Sequence, residues 1–250
     1  MEYYQNKYFD VQRKKRWLEI RFSNGVHNYI TPEVMNELEG IISGVCQDEL
    51  VHCAVLRSGA TDVFSHGLDI KMINSMSSGE KIEFIAKAGN ILSQLNTARI
   101  PFIAAVQGGC FGAGLELILS CDMRISTHRS EFAAPEVIYG LVPAGGGIQR
   151  LLQLVGRGQA SRLLLSGMRI RAGEAARIGL IEETVDEDKL DERCDHLASR
   201  IGRIQRPGII AIKEALSYGI NHLFEESVEN DFHIFQRESR RDLPKERCHS

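Results

Sequence analysis

Two glutamates stand beside glycine-rich segments, in surroundings that suit proton-transfer chemistry. Glu116 follows the run 108–114, where a strand pattern passes through several glycines into a helix start. Glycines let backbone N–H groups face a ligand closely, and a helix N-terminus adds free donors and a positive dipole end. Such a turn suits an anion, including a developing oxyanion. Taken alone, the glycine-rich turn could equally be a tight turn needed for packing. Glu116 alone could equally be a carboxylate that stabilises the helix dipole.

The second glutamate, Glu136, follows Pro135 in an apolar run and precedes the glycines at 145–147. Proline fixes its own φ and biases Ala134 towards extended backbone, which holds Glu136 at a defined place. Apolar surroundings raise the pKa of a carboxyl group, as a general acid near neutrality requires. An exposed loop glutamate is the alternative, because Glu is usually exposed.

The loop 62–71 is a third candidate segment, made of small and polar residues that run into a helix. It could supply a second backbone N–H donor opposite the glycine-rich turn. His66 within it is a candidate base, but no Ser/His/Asp spacing identifies partners, so the role of its side chain stays open. The glycine order of 108–114 differs from the dinucleotide-binding GxGxxG, which disfavours a NAD-dependent dehydrogenase.

The elements that must position these residues alternate between strands and helices. Strands are predicted over 17–22, 53–56, 102–106 and 123–126, and helices from Thr31-Pro32, over 82–95 and over 115–119. This alternation predicts an α/β fold with parallel strand pairing and right-handed crossovers.

Helical patterns dominate after residue 145, and only 181–185 looks extended. Helices are predicted over 148–154, 159–165, 172–178, 190–204, 208–218 and 223–237. Charged residues at 186–188 and Arg-Pro-Gly at 206–208 punctuate the chain. We therefore predict a core over 1–190 and a helical C-terminal region over 191–250.

Bulk composition narrows the class of protein. The 250 residues, 43% hydrophobic and 25% charged, can bury the core of one α/β domain. A formal net charge of -3 provides no overall basic field for nucleic acid or anionic membrane. No secretory signal shows in residues 1–16, and no apolar run predicts a membrane span. Six cysteines without a CxxC pair predict reduced thiols in the cytoplasm.

Taken together, the segments resemble the crotonase superfamily, the enoyl-CoA hydratase/isomerase family. The resemblance is carried, in order, by the segments 64–69, 103–106, 112–116, 122–125, 135–136 with 140–146, and the later landmarks 167–170, 174–175 and 179–181. It spans roughly residues 17 to 220.

The resemblance implies a ββα spiral core with a helical trimerisation region, and a homotrimer or a dimer of trimers. It implies an acyl-CoA thioester as substrate, with coenzyme A as part of the substrate and no separate cofactor or metal. The oxyanion donors would be the backbone N–H groups of Leu68 and Ala113. Glu116 and Glu136 would be the catalytic acid/base pair. The residues implied to bind substrate are Phe64, His66, Gly67, Asp69, Ile70, Gly112 and Ala144, with Lys71 and Lys213 as candidates for the CoA phosphates.

Both glutamates being present favours a hydro-lyase that adds water reversibly across the C2=C3 bond of a 2-enoyl-CoA. The alternatives are an isomerase, or a dehydratase of a branched 3-hydroxyacyl thioester on CoA or a carrier protein. Some relatives bind RNA, but no helix here has the lysine-rich face that such binding favours. His66 and Leu68 replace small residues usual in the family's first oxyanion loop, and Ala113 replaces a usual glycine.

Overall fold

The computed structural model describes residues 4–220 and 222–239. The strands are β1 (Tyr4–Gln5), β2 (Phe9–Lys14), β3 (Trp17–Phe22), β4 (Cys53–Ser58), β5 (Val63–Ser65), β6 (Phe102–Val106), β7 (Gly109–Phe111), β8 (Met123–Thr127), β9 (Glu131–Ala133), β10 (Ile170–Arg171) and β11 (Glu183–Val185).

The helices complete an alternating order along the chain. They are α1 (Pro32–Gln47), α2 (Ile70–Ser75), α3 (Ser78–Asn96), α4 (Ala113–Leu119), α5 (Gly147–Ser166), α6 (Ala172–Arg177), α7 (Leu190–Gly202), α8 (Arg206–Gly219) and α9 (Phe224–Ser239). Short 3₁₀ turns cover Pro135–Tyr139 and Glu187–Lys189.

Two sheets organise the described part of the chain. The larger has seven strands in the order β1-β2-β3-β4-β6-β8-β11, and the smaller has four in the order β10-β9-β7-β5. Pairing is parallel from β3 to β11, whereas β1, β2 and β3 pair antiparallel. The predicted α/β class and parallel pairing are confirmed.

The larger sheet is buried on both faces, which explains its continuous apolar runs. Alternate residues of β4 face opposite sides: Ala54 and Leu56 join the main core under α1 and α3, whereas Cys53 and Val55 join a second cluster under α7. Helix α7, which begins at Leu190, falls almost entirely in the predicted C-terminal region, yet it packs on the sheet of the predicted core. The boundary after residue 190 stays a prediction. The end of that region, 240–250, lies outside the described residues.

A buried arginine ties α7 to the sheet. Arg57 of β4 is 1% exposed, lies 3.3 Å from the Glu19 carboxylate and forms ion pairs with Asp191 and Asp195 of α7. A guanidinium with several fixed donors suits such a shared site.

Four cysteines lie in the interior. Burial raises the pKa of Cys53, Cys121 and Cys194 to about 12, and raises that of Cys110 well above its usual value. Cys46 is partly buried, all five are free thiols, and Cys248 lies outside the described residues.

The sequence-predicted elements are found with modest shifts of their ends. The predicted helices 148–154 and 159–165 form the two parts of α5, which is kinked where Gly156 adopts φ +72°. The predicted helix 82–95 begins earlier, because Ser77 and Glu80 form a capping box. No helix of the described residues is long and apolar enough to cross a membrane.

Candidate active site

An open cleft of about 580 Å³ lies where the smaller sheet, α2 and the 3₁₀ turn Pro135–Tyr139 meet. The residues that line it are Gly112, Ala113, Ala133, Leu68 and Glu136, together with His27, Tyr29, His66, Asp69, Ile70, Lys71, Phe111, Pro135, Ile138, Tyr139, Leu141, Gly167 and Arg169.

Two backbone N–H groups face the cleft from separate loops. Ala113 begins α4, so its N–H has no partner within the helix, and Leu68 follows Gly67 in the first loop. Neither N–H donates to an acceptor of the described residues. The two loops touch: a Cβ added to Gly67 would lie 3.0 Å from the Ala113 nitrogen and 2.6 Å from the Phe111 oxygen. Gly67 has φ +82°, and this close approach requires glycine.

The N-terminus of α4 depends on a second glycine. Gly112 has φ +53°, and its N–H donates to the Ala133 oxygen at 3.0 Å, which ties the turn to β9. A Cβ on Gly112 would lie 3.1 Å from Oε1 of Glu136. Among the described residues only Lys15 and Asn28 are non-glycines with positive φ, so Ala113 is unstrained where the family has glycine.

Glu116 is buried, with 8% of its surface exposed. Its Oε1 accepts two hydrogen bonds of 2.9 Å, from the backbone N–H groups of Gly145 and Gly147. Burial raises the pKa of Glu116, while these two N–H groups and Arg150 oppose that rise. Oε1 therefore lies in a site formed by two N–H donors, which suits a carboxylate oxygen. These two bonds leave Oε2 unconstrained.

Arg150 holds the loop that binds Glu116. It is 9% exposed, and one of its guanidinium nitrogens donates to the Gly145 oxygen at 2.7 Å. A Cβ on Gly146 would lie 2.4 Å from that same nitrogen, so the glycine makes room for the guanidinium. Arg150 thus supports both the loop and the negative charge of Glu116 without entering the cleft.

Glu136 has a different environment. It sits in the first turn of the 3₁₀ helix after Pro135, as the sequence predicts, and its Oε2 is buried without a hydrogen bond to the described residues. Burial raises the pKa of Glu136 to about 7; its own backbone N–H opposes this, and the nearby charge of Glu116 adds to it. Its carboxyl is therefore about half protonated at neutral pH, and it faces the cleft.

Glu116 faces a second, much smaller cavity of about 20 Å³. Leu68 and Ala113 line both this inner cavity and the cleft. The two N–H donors thus stand at the junction, with Glu136 on the outer side and Glu116 on the inner side. Charge that develops at the junction would have donors at hand and a carboxyl on either side.

The mouth of the cleft is a row of stacked rings. The His66 ring packs between those of His27 and Phe111, with centroids at 5.1 Å and 5.6 Å, and the Arg169 guanidinium lies 4.7 Å from the Phe111 centroid. Burial lowers the pKa of His66, and the neighbouring His27 and Arg169 lower it further. No carboxylate of the residues that the structure describes pairs with His66, unlike the histidine of a catalytic triad.

Comparison with known proteins agrees with this geometry. Residues 12–247 match the sequence model of the enoyl-CoA hydratase/isomerase family. This chain belongs to that family. It is 31% identical to the short-chain-enoyl-CoA hydratase of Clostridium acetobutylicum over 193 residues, which cover 77% of this chain and 74% of that protein.

A longer relative and a solved structure extend the comparison. The chain is 31% identical over 207 residues to the fatty acid oxidation complex subunit alpha of Shewanella amazonensis, covering 80% of this chain but 29% of that relative. The crystal structure of enoyl-CoA hydratase from Bacillus anthracis superposes with a TM-score of 0.92, over 94% of this chain and 92% of that one, at 24% identity. That likeness confirms the crotonase fold.

Most of the site residues implied by the crotonase resemblance come together at the cleft. Those that line it are His66, Leu68, Asp69, Ile70, Lys71, Gly112, Ala113 and Glu136, with Gly67 directly behind the Ala113 nitrogen and Glu116 on the inner side. Asp69 also caps α2, because its side chain accepts from the Lys71 N–H at 2.9 Å.

Three implied residues lie elsewhere. Phe64 is fully buried in the core, and its carbonyl accepts from Asn28. Ala144 is exposed beside the loop that binds Glu116 and does not line the cleft. Lys213 is buried, where it donates to the Ile100 oxygen and pairs with Asp122 at 2.7 Å, so it is not available to a phosphate at the cleft.

Sequence reasoning missed several residues that line or support the cleft. His27, Tyr29 and Arg169 reach the mouth from segments far from the catalytic loops. Arg169 falls within the landmark 167–170, whereas His27 and Tyr29 lie outside the segments that carry the resemblance. Arg150 was missed because a single arginine in a helical pattern reads as a surface residue.

Proposed function

We propose that this protein is a 2-enoyl-CoA hydratase. The observation that carries the proposal is the pair of free N–H donors at Leu68 and Ala113, flanked on opposite sides by the carboxyls of Glu116 and Glu136. Hydration of an α,β-unsaturated thioester needs an oxyanion site, a base for water and an acid for the α carbon, and these four groups could supply all three.

In the proposed reaction Glu116 removes a proton from water, and the hydroxide oxygen bonds to C3. The C2=C3 π electrons form a C1=C2 bond, the carbonyl π electrons move to the thioester oxygen, and this enolate is stabilised by the N–H groups of Leu68 and Ala113. Glu136 then donates its proton to C2. The elements of water are added, and proton exchange with the next water restores the two carboxyls.

The two environments support this division of roles. A group that donates a proton near neutrality should have a pKa near 7, as burial gives Glu136. A group that activates water must be ionised, and Glu116 is held by two N–H donors with Arg150 nearby. Coupled acids with distinct environments take distinct roles.

The test is the loss of conjugated-thioester absorbance when crotonyl-CoA is hydrated. We expect Glu116→Gln and Glu136→Gln each to lower kcat by about 10²–10⁴, the usual contribution of a positioned acid or base. Glu225→Gln, on the exposed first turn of α9, is the control and should keep wild-type activity. An active wild type with an unaffected Glu116→Gln variant would contradict the hydratase mechanism.

One observation favours a second candidate. Glu136 alone of the two carboxyls lines the large cleft. A double-bond isomerase, or a dehydratase of a branched 3-hydroxyacyl thioester, could work mainly through that one acid. Conversion of a 3-enoyl-CoA by wild type and by Glu116→Gln, with crotonyl-CoA inert, would identify the isomerase. Activity only on branched or carrier-bound thioesters would identify the dehydratase.

We also propose that the chain forms a homotrimer or a dimer of trimers, and that it works in the cytoplasm without a separate cofactor. The α8–α9 hairpin supports self-association, because it exposes large apolar side chains such as Leu216 and Phe235, at 64% and 66%. The free, buried thiols suit a reducing compartment.

A further inference from the structure

The inner cavity is small and almost wholly apolar. Apart from Glu116 and backbone atoms, its walls are aliphatic side chains that include Ile30, Met35, Ile85 and Leu92. Ile30, Met35 and Leu92 are 2–3% exposed. A cavity of about 20 Å³ holds roughly one water-sized or methyl-sized group.

A bound thioester has one favourable direction across the two N–H donors. The outer cleft has the cations Lys71 and Arg169 among its lining residues, so it suits the phosphate-bearing end. The inner cavity has no basic side chain among its lining residues, so it suits hydrocarbon. The acyl chain would therefore run past Leu68 and Ala113, with C2 and C3 between the two carboxyls and only C4 in the inner cavity.

Met35 forms part of the wall of this cavity. It projects from α1 and also lines a separate pocket of about 320 Å³ between α1 and α3, which Met76 and Phe84 border. Among the residues that the structure describes, Met35 alone lines both the inner cavity and this pocket. Removing its thioether arm would join a space for one methyl group to a space more than ten times larger.

We propose that this site is selective for acyl chains of about four carbons, and that Met35 sets the length limit. The proposal rests on the proposed CoA-thioester function and adds the substrate class. Each carbon beyond the fourth would have to displace Met35 or its neighbours, which are closely packed in the core. A single methylene that does not fit a pocket commonly changes selectivity by about 10-fold or more.

The test measures dissociation constants for saturated butyryl-, hexanoyl- and octanoyl-CoA by titration calorimetry, with hydration of the matching 2-enoyl-CoAs as a second readout. We expect wild type to bind butyryl-CoA at least ~10-fold more tightly than octanoyl-CoA. In Met35→Ala, octanoyl-CoA should bind within about threefold of butyryl-CoA, because the inner cavity then opens into the outer pocket.

Met76→Ala is the matched control, because Met76 lines the outer pocket but not the inner cavity. It should keep the wild-type ratio. Should Met35→Ala fail to fold, Met35→Val and Met76→Val replace the pair. Equal affinity of wild type for butyryl- and octanoyl-CoA overturns the proposal, as does an unchanged ratio in a folded Met35 variant. If the binding ratios follow expectation but no 2-enoyl-CoA is hydrated, the length limit stands and the hydratase function fails.

Discussion

At the scale of single residues, two carboxyls of the same chemistry are made different by their partners. Glu116 is more deeply buried, yet two backbone N–H groups satisfy its oxygen. Glu136 is less buried, yet one of its oxygens has no hydrogen bond to the described residues. Burial raises the pKa of both, and only at Glu116 do several donors oppose it. The two carboxyls therefore differ mainly in how many donors oppose the rise in pKa, rather than in how deeply they are buried. This difference supports their two proposed roles.

The pH dependence should follow the Glu136 carboxyl. Hydration needs its protonated form, so kcat/KM for crotonyl-CoA should fall about tenfold per pH unit above about 7. Stopped-flow or steady-state rates between pH 5 and 9 measure this. A rate that keeps rising to pH 9 would exclude Glu136 as the proton donor.

The same group makes a folding prediction. Its pKa is higher in the folded chain than in the unfolded one, so its favourable contribution is complete below its ordinary value near 4.5 and is lost as pH rises through about 7. Glu136→Gln should therefore gain about 2 kcal/mol relative to wild type between pH 5 and pH 8. Urea unfolding of both proteins at the two pH values measures the difference.

The site could be predicted from sequence where chemistry and backbone geometry coincide. Pro135-Glu136 and the run 108–114 carry both, so the sequence could predict that the two glutamates and the Ala113 N–H lie close together, as they do around the cleft and the inner cavity. Phe64 lies in the core and Ala144 off the cleft, because a family position does not say which groups of a residue reach a cavity, and their substrate-binding role stays a prediction. Arg150 was missed because its importance comes from a carbonyl and a carboxylate that only the fold brings to it.

At the scale of elements, the proposed oxyanion site depends on two loops that meet closely at Gly67 and Ala113. β5 and β7 are parallel neighbours in the smaller sheet, so the loops after them leave the sheet on the same side. Sequence patterns predicted the parallel strands β3, β4, β6, β8 and β11 of the larger sheet, because buried faces give apolar runs, but they missed its antiparallel strands β1 and β2. They missed the smaller sheet, whose strands are only two or three residues long.

Gly67→Ala tests that contact between loops. An added Cβ would lie 2.6 Å from the Phe111 oxygen and 3.0 Å from the Ala113 nitrogen, at φ +82°. The loops must separate, and loss of one aligned donor should lower kcat by about 10²–10³. Gly25→Ala is the control, since Gly25 has φ +67° with nothing within 4 Å of its added Cβ. If both variants keep wild-type kcat, the close approach is not required for catalysis.

At the scale of the whole molecule, the described chain covers its main sheet on both faces but leaves the α8–α9 hairpin with apolar surface exposed. Ile212, Leu216 and Phe235 are each about two-thirds exposed around one groove. Such a patch on a folded protein supports the proposed self-association. Helical periodicity predicted both helices, but no sequence pattern could show that their outward faces would stay uncovered.

Ile212→Glu combined with Leu216→Glu should therefore reduce a trimer to monomers in analytical ultracentrifugation, because two carboxylates would be buried at the interface. Leu50→Glu, at a site 67% exposed after α1, is the control and should leave the assembly unchanged. A wild type that sediments as a monomer would remove the proposed interface, whatever the variants do.

The buried cysteines have a consequence for a protein that handles thioesters. A thiolate can attack a thioester and take the acyl group, and its capacity to do so depends on its ionised fraction and on access. With burial raising the pKa of Cys53, Cys121 and Cys194 to about 12, these thiols stay protonated and enclosed at neutral pH. Cys110, one residue before the loop that forms the oxyanion site, is enclosed as well. The interior thus keeps its sulfur atoms from becoming acylated by the molecules that the cleft would bind.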